Sequence, residues 1–135
     1  MRAIDRRVEE APRHDLVLFD AGGPDAPAIG PLLAGAGFAA ERHAQPSSVV
    51  QSVIAHRPLA LIWVLGAKPS SDLGVLSLVR LVAPELPLLI VEPGAGALSA
   101  EARQRLAPRF VGGLPQHAAE LLAALAGLEP SDAAF

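Results

Sequence analysis

The seven residues Leu59-Ala-Leu-Ile-Trp-Val-Leu65 are apolar without a break. A strand with one face in water alternates apolar and polar side chains. An unbroken run of strand length therefore marks a strand buried on both faces, the signature of a parallel sheet with helices above and below. Leu16-Val-Leu-Phe19 and Leu86 to Val91 read the same way. Each stops at a turn cluster, Asp20-Ala-Gly-Gly-Pro24 and Glu92-Pro-Gly-Ala-Gly96 respectively. Phe38 to His43 is more polar, as expected of a strand at a sheet edge. Phe110-Val111 is a brief strand that ends at Gly112-Gly-Leu-Pro115.

Helical patterns fill the intervals. The first runs from Asp25 to Ala36, with Asp25 as its cap and Gly37 as its C′ residue. Pro31 implies either a start near Gly30 or a distorted first turn. Ser48-Val-Val-Gln51 has the form of a capping box, followed by a stripe of Val49, Val50, Val53 and Ile54 up to Arg57-Pro58. The third helix is capped by Ser70, Ser71 or Asp72, places Val75, Leu76, Val79 and Val82 at helical spacing, and stops at Pro84. Ser99 caps a short helix to about Leu106. A last helix spans Gln116 to Ala126, with Leu121, Leu122 and Leu125 inward. Five strand–helix units imply one doubly wound parallel sheet covered on both faces, and right-handed crossovers leave few topologies. The domain is expected over 15–127, between a loose arm at 1–14 and a tail at 128–135.

The chain of 135 residues is 51% hydrophobic and 19% charged, enough for a real core. Its net charge is −3 and its basic residues do not form a stripe, which argues against direct nucleic-acid binding. It has no cysteine, so disulfide and thiol chemistry are excluded. The apolar runs are too short to span a bilayer, and the first residues lack the apolar core of a secretory signal. The expected location is the cytoplasm.

Four stretches, in order, carry a family resemblance: Leu16-Val-Leu-Phe-Asp20, Leu32-Leu-Ala-Gly-Ala-Gly-Phe38, Arg57-Pro-Leu-Ala-Leu-Ile-Trp63 and Pro84-Glu-Leu-Pro-Leu-Leu-Ile-Val91. Together they resemble the receiver domain of bacterial two-component response regulators, over roughly residues 15–127. The resemblance implies a CheY-like, flavodoxin-like fold with strand order 2-1-3-4-5. It also implies phosphotransfer to an aspartate at the end of the third strand. That chemistry uses an acid pair after the first strand to hold magnesium, a Ser or Thr ending the fourth, and a Lys before Pro ending the fifth. The metal screens the incoming phosphate, while the cation and hydroxyl hold its oxygens.

This sequence departs from that pattern at nearly every position. Asp20 is followed by Ala21, and the acceptor position falls on Val64. Glu92 replaces the hydroxyl residue, and Gly113-Leu114-Pro115 stands where Lys-Pro belongs. The expected site is a degenerate phosphorylation pocket of Asp20, Val64, Lys68, Glu92 and Leu114, with no metal, cofactor or catalytic residue. Lys68, the only lysine, sits just past the third strand and reads either as a solvated loop lysine or as a built-in cation reaching Asp20 or Glu92 in place of a metal. Asp72 reads as a helix cap, or alternatively as a displaced phosphoacceptor. Trp63 reads as core. The glycines of Gly22-Gly23 and Gly94-Ala-Gly96 match no phosphate-binding loop and read as turns. His14, His43, His56 and His117 lack metal-ligand spacing and read as surface or helix-end residues.

The expected function is a pseudo-receiver: a non-enzymatic signalling domain that contacts a protein partner or a second copy without phosphorylation. Ala118, Ala119, Leu122 and Ala126 on the last helix form the expected contact surface. The alternatives are a small-ligand or anion site at the C-terminal edge of the sheet, and a phosphorelay receiver using Asp72.

Overall fold

The computed structural model describes residues 16–20, 29–65, 69–92, 98–113 and 117–128. Five parallel strands form one sheet: β1 (Leu16–Phe19), β2 (Ala40–His43), β3 (Ala60–Val64), β4 (Leu88–Val91) and β5 (Phe110–Gly112). Their order is β2-β1-β3-β4-β5, the doubly wound order expected. The register sets Leu18 beside Arg42 and Ile62, and Val64 beside Val91.

Five helices connect and cover the strands: α1 (Ile29–Gly35), α2 (Pro46–His56), α3 (Pro69–Val82), α4 (Ala100–Leu106) and α5 (Ala118–Ala126). Alternate strand residues feed two cores. Val17, Phe19, Leu61, Trp63 and Ile90 pack with residues of α2, α3 and α4. Leu16, Leu18, Ile62, Val64 and Val91 pack with Ile29 and Leu33 of α1 and Leu121 and Leu125 of α5. Two-sided burial is why β1, β3 and β4 show no polar alternation.

The helix ends follow local chemistry, with three corrections to the sequence reading. At α1, Phe38 N–H donates to Leu33 O at 2.9 Å and Gly37 N–H to Ala34 O at 3.0 Å. With Gly37 at φ +90° this is a Schellman ending, as the glycine suggests. Asp25 lies outside the described residues. Pro31 is the third residue of α1, where a missing N–H breaks no intrahelical bond. Ser99 caps α4 as expected, accepting the Ala102 N–H at 3.1 Å. The capping box does not form. Pro46 takes the first helical position, so the cap falls on Gln45 and the Ser48 N–H bonds Gln45 O instead. Asp72 is not the cap either; α3 begins at Pro69 and holds Asp72 in its first turn, where a carboxylate favours the helix dipole. Ile54 and Val82, members of the apolar stripes read from the sequence, are exposed.

Ala107 ends α4 in the left-handed region at φ 50°. A Cβ is disfavoured there, so Ala107→Gly is expected to raise stability by about 0.5–1 kcal/mol in urea unfolding. Among the described residues, no helix is long and apolar enough to cross a membrane.

Candidate functional site

In a doubly wound sheet the chemistry sits beyond the carboxyl ends of the strands. Here those ends carry Asp20 after β1, Val64 and Leu65 at β3, Glu92 after β4 and Gly113 after β5.

Asp20 is buried, with 2% of its side chain exposed, and its Oδ2 accepts from Arg42 Nη2 at 3.0 Å. The parallel register explains the pair. Leu18 lies beside Arg42, so the side chain of Arg42 is on the same face as that of Asp20 two residues further along. A buried carboxylate needs a partner, and an edge-strand guanidinium supplies it while staying largely in water. Arg42 is thus one cation on Asp20, and sequence reasoning missed it. Lys68 and Leu114 lie outside the described residues, as do Gly22-Gly23 and Gly94-Ala-Gly96.

Val64 is buried within the core shared with α1 and α5. Glu92 is also buried, and its Oε2 accepts the Leu98 N–H at 2.9 Å. Its Oε1 lies 4.0 Å from Arg103 of α4. Asp20 and Glu92 are therefore held by partners on opposite faces of the sheet: Arg42 on the α1/α5 face, and α4 on the other. At β5, the Gly113 N–H donates to His117 Nδ1 at 3.1 Å. A Cβ on Gly112 would stand 3.0 Å from the His117 ring, so glycine is what lets that ring fold over the strand end.

A second polar cluster joins β2 to α2. Ser52 donates to Glu41 Oε1 at 2.8 Å, and its Oγ lies 3.2 Å from His56 Nδ1. His56 Nδ1 and His43 Nε2 stand 3.4 and 3.2 Å from the two oxygens of Glu41. Ser52 is buried and its proton is spent on a carboxylate, so the group clamps strand to helix. Among the described residues no three His, Cys, Asp or Glu side chains are grouped to hold a metal.

On α5, Ala119 and Ala126 are exposed while Ala118 and Leu122 are half-buried, Leu122 against the α1/α5 core.

No family model matches this chain, and no curated protein does. Solved structures do match. A CheY-like receiver domain protein from Methanospirillum hungatei superposes with a TM-score of 0.70 at 11% identity, over 89% of this chain and 97% of that one. The chemotaxis protein CheY4 of Vibrio cholerae gives 0.68 at 14% identity, over 84% and 97%. A response regulator from Burkholderia pseudomallei gives 0.65 at 16% identity, over 84% and 66%. The fold is that of the CheY-like receiver domain.

Proposed function

We propose that this chain is a receiver-like signalling module that acts through protein contacts and accepts no phosphoryl group. One observation carries the reading: Val64, buried in the core, occupies the strand end from which a receiver's acceptor aspartate attacks. Its surroundings support this. A phosphoryl group needs converging positive charge and donors. Here Asp20 is already held by Arg42, and Glu92 adds negative charge where a hydroxyl would donate. The B. pseudomallei neighbour carries a phosphorylated aspartic acid and a calcium ion. This chain has no carboxylate anywhere from Leu59 to Ser71 to match it.

Incubation with a small acyl phosphate and magnesium is expected to leave the intact mass unchanged. A phosphoryl adduct sensitive to hydroxylamine would overturn the reading. Should that adduct vanish in Asp72→Asn, the displaced acceptor would take its place. Partner binding is expected to be indifferent to the same treatment.

A further inference from the structure

The exposed large apolar side chains of the described residues fall on two consecutive helices, α2 and α3. Ile54 is 58% exposed, Leu78 45%, Leu81 79% and Val82 43%. Leu78, Leu81 and Val82 follow helical i, i+3, i+4 spacing on the last turns of α3, so they share a face. Ile54 stands on the last turn of α2. Ile54 and Val82 also line a groove of about 460 Å³, together with Val53, Arg57, Pro58 and residues 83–86 of the turn into β4. This groove lies at the amino-terminal end of β3 and β4, the opposite end of the sheet from Asp20, Val64 and Glu92.

The charges of the groove indicate what covers it. Arg57 enters from the α2 side and Glu85 from the turn after α3. Both are exposed, and neither side chain makes an ion pair or hydrogen bond among the described residues. A nucleic acid or an anionic membrane selects a surface of one sign, and this one carries both. An apolar strip flanked by one cation and one anion is complementary to itself under a two-fold rotation, because in an isologous contact residue i meets j and j meets i. We propose that the α2/α3 groove is a self-association surface for a second copy of this chain. In the dimer the apolar strips face each other, and Arg57 of each copy meets Glu85 of the other. This goes beyond the signalling reading above, since it holds whether or not the strand ends accept phosphate.

Sedimentation velocity over a concentration series, with the full chain, is the test. The wild type is expected to form a concentration-dependent dimer. Leu81→Asp is expected to abolish it while circular dichroism and the thermal midpoint stay at wild-type values. Arg57→Glu alone and Glu85→Arg alone each place like charges together twice per dimer, and each is expected to weaken self-association by about tenfold or more. Mixed in equal amounts, these two variants are expected to form a heterodimer, because every charged pair across the axis is then opposite in sign. The double variant is expected to recover the homodimer.

A wild type that stays monomeric throughout would overturn the proposal. If Leu81→Asp also lowered the thermal midpoint of that monomer, the occupant would be a segment of the same chain. A dimer lost in Ala123→Arg on α5 but retained in Leu81→Asp would move the contact to α5. A mixture no tighter than the single variants would exclude the two-fold pairing of Arg57 with Glu85.

Discussion

Trp63→Ala is expected to lower stability by about 4 kcal/mol, a large share of the 5–15 kcal/mol that holds an ordinary domain together. Trp63 is fully buried and stacks on Phe19 with ring centroids 4.0 Å apart. It sits in the core that joins the central strand to α2, α3 and α4, and truncation there leaves a large void. Its indole N–H is buried without an acceptor among the described residues. That donor carries a desolvation cost, which Trp63→Phe removes along with part of the ring. The phenylalanine variant is therefore expected to lose less than about 1.5 kcal/mol, because the smaller packing loss is offset by the orphaned donor. Urea unfolding followed by circular dichroism measures both. As the only tryptophan, Trp63 also reports the wild-type transition by a red shift of its emission. An alanine variant within about 1 kcal/mol of wild type would mean that the core relaxes around the gap.

Trp63 also shows how much of the fold is legible in the amino-acid sequence. Burial on both faces removes the alternation from β1, β3 and β4, so these strands stand out as apolar runs. The glycine at 37 and the serine at 99 mark helix ends because each supplies one specific backbone need. The strand order rests on resemblance, since crossover handedness alone leaves several arrangements.

What stays hidden depends on register or on choosing among too many apolar residues. The ion pair of Arg42 with Asp20 exists because β1 and β2 align Leu18 with Arg42, and no sequence pattern states that alignment. Position along the chain singles out only Lys68, which lies outside the described residues. Helical periodicity finds the inward positions Leu76 and Val79 of α3. It cannot tell that Val82 faces water, because apolar residues cover more of that helix than one buried stripe requires. That surplus is the exposed strip beside Arg57 and Glu85. The Ser48–Gln51 pattern fails for a local reason: Pro46 presets the first helical turn before the serine can act.

Arg80→Met is expected to lower stability by about 3 kcal/mol, through lost charged hydrogen bonds rather than lost packing. Arg80 lies on α3, and its guanidinium is spread over four carbonyls. Nε and Nη2 donate to Leu106 O at 3.0 and 2.8 Å, closing the end of α4. Nη1 donates to Leu86 O at 2.7 Å, Pro84 O at 3.1 Å and Ala83 O at 3.4 Å, gathering the turn between α3 and β4. Two helix C-termini, both negative ends of peptide dipoles, thus share one cation. Burial lowers the pKa of the guanidinium from its ordinary value, and a guanidinium still keeps its charge at neutral pH. Arg80→Lys keeps the charge but not the planar fork, so one ammonium cannot serve Leu106 and Leu86 together. It is expected to recover less than half of the loss in urea unfolding, and a lysine variant equal to wild type would reduce the role of Arg80 to its charge alone. The turn that Arg80 gathers is also the wall of the groove between α2 and α3, where Ala83, Pro84, Glu85 and Leu86 stand. Loosening it displaces Glu85 from the place where a second copy's Arg57 would meet it. Arg80→Met is therefore expected to weaken self-association under conditions in which the monomer remains folded, a coupling that a purely local anchor would not produce.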